Sequence, residues 1–165
     1  MPKTPRNKRP DAFSLFCFAT AYWKGRWALN REFTRLGIQT PYDIPEFVVE
    51  AFSLELHLKC LLRVEKKELP GSHEPEYLYH ALTPPHRRMI REYAKKPLGE
   101  MRSILARSRG VFKDLRYMHE GHKWPEDKKG RTGTDGFNEV VHAIRRIIKE
   151  KHKDWDAKKN ALLAI

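Results

Sequence analysis

Apolar positions recur with the period of an α-helix along almost the whole chain. Between Asp11 and about Phe33, the residues Phe13, Phe16, Tyr22, Trp23 and Trp27 fall at roughly helical spacing. This predicts a first helix whose aromatic stripe faces the core, with Asp11 as its cap. Gly37, Pro41 and Pro45 punctuate the next stretch, which reads as a loop. Pro45 suits the first turn of a second helix running to about Glu68. That helix is apolar on nearly every side, the pattern of a central helix. Its polar residues form two narrow stripes, Glu50, Ser53 and His57 on one and Glu55, Lys59 and Arg63 on the other.

Pro70-Gly71 breaks the pattern. A short helix is expected over residues 74–82, and Pro84-Pro85 starts another that reaches about Lys95. Pro97 opens a long helix whose apolar stripe comprises Met101, Ile104, Leu105, Val111, Phe112, Leu115 and Met118. On the same helical wheel His119 and His122 fall inside that stripe, Arg116 on its edge and Glu120 a little further round. Residues 123–135 read as a charged loop. Asp135 then caps a last helix through Phe137, Val140, Val141, Ile144, Ile147 and Ile148. No internal repeat and no strand-like alternation is present. The expectation is an all-α, up-and-down bundle of four to five main helices. Residues 1–10 form a flexible basic segment, 11–152 the helical domain, and 153–165 a basic tail or helix extension.

Length and composition narrow the class. A chain of 165 residues with 40% hydrophobic content can form one domain and bury roughly 70% of its extended surface. No apolar run reaches the ~20 residues of a membrane span, and no signal-peptide pattern opens the chain, so a cytoplasmic, non-membrane protein is expected. Cys17 and Cys60 sit in apolar helical stretches without metal-type spacing and read as reduced core thiols. Lys and Arg number 33 against 21 Asp and Glu, a formal net charge of +12. That excess favours a polyanionic partner. Arg87, Arg88, Arg91, Arg107 and Arg109 are the candidate nucleic-acid contacts, although solvated helix faces also carry such charge.

Three segments, Ala51–Glu55 with Leu58-Lys59 and Leu61-Leu62, Gly71-Ser72-His73 leading into Tyr77–Leu82, and Arg116–Glu120, together resemble HEPN-like domains, helical bundles named for higher-eukaryote and prokaryote nucleotide-binding proteins. Ala51-Phe52-Ser53-Leu54-Glu55, with Leu58-Lys59 and Leu61-Leu62 behind it, is similar to the family's opening core helix. Gly71-Ser72-His73 leading into Tyr77–Leu82 is similar to its Gly-x-His turn and short helix. Arg116-Tyr117-Met118-His119-Glu120 is similar to the Arg-Tyr-x-x-Glu segment of a bacterial branch. The likeness spans roughly residues 11–150. It implies a bundle that dimerises, with no cofactor and no resident metal. Many such domains are metal-independent ribonucleases of toxin–antitoxin or antiviral systems, so an antitoxin or defence-system protein is an implied partner beside RNA or a nucleotide. Their catalytic motif is an Arg followed after a short interval by a His. Here five residues separate Arg116 from His122, and Tyr117 stands where the motif usually has a polar residue.

The implied chemistry is self-consistent. Histidine titrates near neutral pH and can move the proton of a 2′-hydroxyl or leaving oxygen, which gives the role to His122, with His119 as its rival. The forked Arg116 guanidinium would hold the phosphate. Ser53, Glu55, Lys59, His73, Tyr117 and Glu120 form the expected polar core cluster. The plainer reading is that Arg116 and Glu120 pair with each other, or with Glu55 and Lys59, to orient two helices. His119 and His122 are also spaced for zinc, but His73 is the one motivated further ligand and no metal is assigned. Glu50 and Glu55 read as ion-pair partners rather than a hydrolytic dyad. Tyr22, Trp23 and Trp27 read as core, and Trp124 as the exposed aromatic able to stack on a base. Three functions stay open: an RNA-cleaving dimer, a non-catalytic nucleotide- or nucleic-acid-binding module, and a protein-interaction subunit.

Overall fold

The computed structural model describes residues 10–37, 44–109 and 136–162, and these carry seven α-helices and no strand. They are α1 (Ala12–Leu36), α2 (Ile44–Val64), α3 (Pro75–Ala81), α4 (Pro84–Ala94), α5 (Leu98–Arg109), α6 (Phe137–Lys151) and α7 (Trp155–Leu162). The fold is an all-α bundle. Among the described residues no helix is long and apolar enough to cross a membrane.

The helix boundaries have local causes. Asp11 accepts a hydrogen bond from the Ser14 amide at 2.7 Å, and Gly37 closes α1 in the left-handed conformation. Proline occupies the first turns of α3 and α4, where its missing N–H costs nothing. The N-cap of α6 is Gly136 rather than the expected Asp135. Gly136 has φ +85°, and a Cβ there would lie 2.9 Å from Ile104 Cγ1, so α5 approaches too closely for any side chain.

Pairwise contacts fix the directions. Arg26 meets Glu46 and Glu50, Tyr22 stacks on Phe52, and Cys60 Sγ–H donates to the Ala12 carbonyl, so α1 and α2 run antiparallel. Trp23 Nε1 donates to Asn138, while Arg145 reaches Thr20, so α6 also runs antiparallel to α1. Tyr93 meets Glu150 and Lys96 meets Glu139, which sets α4 antiparallel to α6. The four helices therefore alternate up and down. The core comprises Leu54, Leu58, Leu61 and Leu62 of α2 with Phe16, Leu78, Ile90, Met101, Phe137, Ile144 and Ile148 around them. α3 bridges α2 and α5. Residues 153–165 include α7, and its Trp155 packs edge-on against Phe13 and stacks on His152, within the core cluster.

The aromatic stripe of α1 is only partly internal. Phe16 is buried, but Tyr22 is 41% and Trp27 47% exposed. Tyr22 sits mid-helix with one face stacked on Phe52 at 5.5 Å and the rest open. Trp27 lies under the Arg26 guanidinium at 4.7 Å instead.

His57 of α2 is wholly buried. Its Nδ1 lies 2.7 Å from the Ser53 carbonyl and so carries the proton, and its Nε2 has no partner. Burial, reinforced by the Arg145 charge, holds its pKa down to about 3. A folded-state value below the unfolded one means that stability is present above pH ~6.5 and lost as pH falls towards the folded value. Urea unfolding between pH 7 and pH 4 should therefore show stability falling by up to about 1.4 kcal/mol per pH unit from this group. His57→Met should be measurably flatter over that range. Equal slopes for the two proteins would mean that His57 is not buried in its neutral form.

Candidate functional site

α2 cannot avoid burying polar groups, because neighbours surround it, and each of its stripes meets a different one. On one side Arg26 of α1 donates through Nε to Glu46 and through NH1 to Glu50, each at 2.7 Å. Asn30 adds a bond to Glu46 at 3.2 Å. Ser53 donates to the Ala19 carbonyl at 3.0 Å and lies beside His57. Glu50 is thus a structural acid, tied to α1.

On the other side Glu55 Oε1 receives Lys59 Nζ at 2.6 Å and His73 Nδ1 at 2.9 Å. Three of the residues grouped from sequence are therefore brought together, and Ser53 turns away to α1. Glu55, Lys59 and His73 form the polar end of a cleft of about 530 Å³ whose walls include Leu15, Phe18, Leu56, Leu69 and the stacked Tyr22–Phe52 pair. Glu55 Oε2 is buried without a hydrogen bond. Arg116, Tyr117, His119, Glu120 and His122, with Trp124, lie outside the described residues.

A second acid on α2's C-terminal extension was not legible in the sequence. Glu65 accepts from the Thr83 amide and hydroxyl and from Lys67, and pairs with His86 Nδ1. Burial pushes its carboxyl up, but the bonds from His86, Thr83 and Lys67 outweigh that and leave it below the ordinary carboxylate range. The effect is to pin the turn between α3 and α4 onto the end of α2.

The basic residues separate by exposure. Arg88 is exposed and faces Glu92 at 3.5 Å, Arg91 NH1 donates to the Tyr79 hydroxyl, and Arg87 is half-buried beside His80. Arg107 leaves this set: it is 4% exposed on α5 and donates to Ser103, which removes it from any surface contact. The Arg109 side chain lies outside the described residues. What the candidate list missed is that α6 lies beside α4 and carries its own cations. Residues 84–97 hold five Lys or Arg against one acid, and residues 137–153 hold five against two. Tyr93 joins the two helices, bonding to Glu150 and lying under Arg146 at 4.0 Å. Their outer surfaces form two shallow basic depressions, one lined by Arg88, Arg91, Lys95 and Lys96, the other by Arg145, Arg146, Lys149 and Lys153. Among the described residues no group of three or more His, Cys, Asp or Glu is placed to hold a metal ion.

Comparison with known proteins finds no family model, curated protein or solved structure that matches this chain.

The Glu55 cluster is a buried ion pair whose removal should be felt. Lys59→Met strips Glu55 of its nearest cation and leaves a 97%-covered carboxylate supported by the exposed His73 alone. Urea unfolding at pH 7 should register a loss of roughly 2 kcal/mol. A loss below about 0.5 kcal/mol would class the pair with the weak surface bridges.

Proposed function

We propose that this chain is a HEPN-like helical protein that binds RNA across the adjoining outer faces of α4 and α6. The observation that carries the reading is the convergence of two separate basic sequence segments on one side of the bundle, joined by Tyr93. Exposed Arg88 on α4 with Lys95 just past its end, and Arg146 on α6 with Lys153 just past its end, are spaced along antiparallel helices, an arrangement suited to following a phosphate backbone. Preference for RNA comes from the resemblance in the Ser53–Lys59, Gly71–His73 and Arg116–Glu120 segments, not from charge, which would serve any nucleic acid.

Binding measured by fluorescence anisotropy on a single-stranded RNA should weaken steeply with salt, with a log–log slope of about −0.7 for each phosphate contacted. The double variant Arg88→Glu/Lys95→Glu alters exposed side chains and should lower both affinity and slope while leaving thermal stability near wild type. A salt-independent interaction, or none, would remove the nucleic-acid reading and favour a protein-interaction subunit.

One sequence observation favours a second step, cleavage: the five-residue interval between Arg116 and His122. In that reading Arg116 holds the scissile phosphate, His122 moves the proton, and two copies meet to complete the site within a toxin–antitoxin or antiviral system. Chelator-treated protein of dimeric mass by light scattering should cleave RNA, and Arg116→Ala and His122→Ala should each reduce the rate by at least about a hundredfold. Binding without scission by the parent protein, or cleavage unaltered in both variants, leaves a non-catalytic RNA-binding module.

A further inference from the structure

Arg145 of α6 is 7% exposed, yet no carboxylate lies within ion-pair distance of it among the described residues, and Asp156 acts on it only through space. One donor, NH1, reaches Thr20 Oγ1 at 2.7 Å. The guanidinium lies over the Trp23 ring at 4.6 Å and near the Phe16 ring at 5.5 Å, which supplies some cation–π attraction but leaves most of its five N–H donors unused. Burial lowers the pKa of Arg145, but a guanidinium stays charged at any physiological pH. A buried charge with one neutral hydrogen bond is an expensive arrangement unless something further compensates it.

The surroundings indicate what compensates it. Arg145 is the most buried of the residues lining a depression of about 360 Å³, with His142, Arg146, Lys149, Glu150 and Lys153 around it. Glu150 is engaged by Arg146 at 2.9 Å and by Tyr93 at 3.2 Å. Lys149 is engaged by Asp156. Lys153 has no acidic partner among the described residues. His142 is held toward its neutral form, by burial first and by Arg145 next, so it can donate a hydrogen bond without adding charge. Four cations thus face two acids, Glu150 and Asp156, each already bonded to another cation, so Arg145 and Lys153 are left without a direct carboxylate contact among the described residues.

We infer that this depression seats one phosphate group, with the Arg145 fork as its floor and Lys153 closing over it. The ligand class follows from charge: a phosphate carries enough negative charge to answer two uncommitted cations, and its tetrahedral oxygens match the fork. The inference rests on the RNA reading in naming the source of that phosphate, because one edge of the depression, Arg146 and Glu150, meets Tyr93 of α4. The alternative source is free inorganic phosphate.

The test uses the full chain. Thermal unfolding is followed against increasing inorganic phosphate, with sodium chloride at matched ionic strength as the control. Phosphate should raise the midpoint in a saturable manner and chloride should not. Lys153→Gln, at an exposed position, should weaken phosphate binding by about tenfold, and Arg145→Lys should weaken it further by removing the fork. Identical curves in phosphate and chloride would overturn the inference, as would wild-type phosphate binding in Lys153→Gln, the deciding variant if Arg145→Lys does not fold. Phosphate at its saturating concentration should also displace RNA beyond the effect of matched chloride. Saturable phosphate binding without that displacement assigns the seat to free phosphate and overturns the RNA source. Arg88→Glu/Lys95→Glu separates the two readings: it should weaken RNA binding and leave the phosphate-induced midpoint shift intact.

Discussion

The constraint on which this bundle depends is that its central helix is both enclosed and charged. α2 presents Glu46, Glu50, Ser53, Glu55 and His57 to neighbours on several sides, all of them buried. Such groups are costly without partners, and a carboxylate accepts bonds only along a few directions. Each acid therefore specifies where a neighbour must lie. Arg26 fixes the height of α1 against α2 through two carboxylates at once. His73 ties the Gly71 turn to the middle of α2, and the Glu65 cluster ties the α3–α4 turn to its end. The apolar core would tolerate a helix slipped by a turn far better than these pairs would, so the polar groups set register where leucines set cohesion.

That arrangement also explains where charge is left over. Carboxylates are spent inside the bundle, on Arg26, Lys59, His73 and His86. The outer faces of α4 and α6 are left with more cations than acids, and what acids they have are engaged locally, as Glu92 with Arg88 and Glu150 with Arg146. Of the chain's net charge of +12, seven units fall in residues 84–97 and 137–153, where two helices with similar faces lie side by side. Adjacent like charges repel unless an anion arrives between them.

How far the sequence foretells this depends on the distance over which a feature acts. Helix positions, the Asp11 cap and the enclosed character of α2 follow from periodicity, which is a local property. The Glu55–Lys59 pair is likewise local, one turn along a single helix. A helical wheel identifies a polar face but not what stands opposite it. For that reason Arg26 with Glu46 and Glu50, Glu65 with His86, and Arg145 with Thr20 could not be paired from spacing, being 20, 24, 21 and 125 residues apart. Arg107 shows the converse error, since grouping arginines by their closeness in sequence ignores that α5 turns this one inward. The cap of α6 failed for a third reason. Asp135 has the better capping chemistry, but Ile104 leaves room only for glycine at the cap itself.

Arg145 shows why pairing is the more useful criterion than charge for separating support from function. Arg26 is also largely covered, but two carboxylates receive it, so it needs nothing from outside and its role ends with holding α1 to α2. Arg145 is covered to a similar degree by aromatic rings that can neither accept a strong hydrogen bond nor neutralise a charge. If the residue served only to fill space between α1 and α6, an apolar side chain of similar size would do so at lower cost. A guanidinium stiffened by flanking rings, opening onto a basic depression, is instead preorganised for an anion, because its orientation is already fixed before the anion arrives. The energetic debt of the unpaired charge in the free protein then becomes part of the affinity for whatever discharges it.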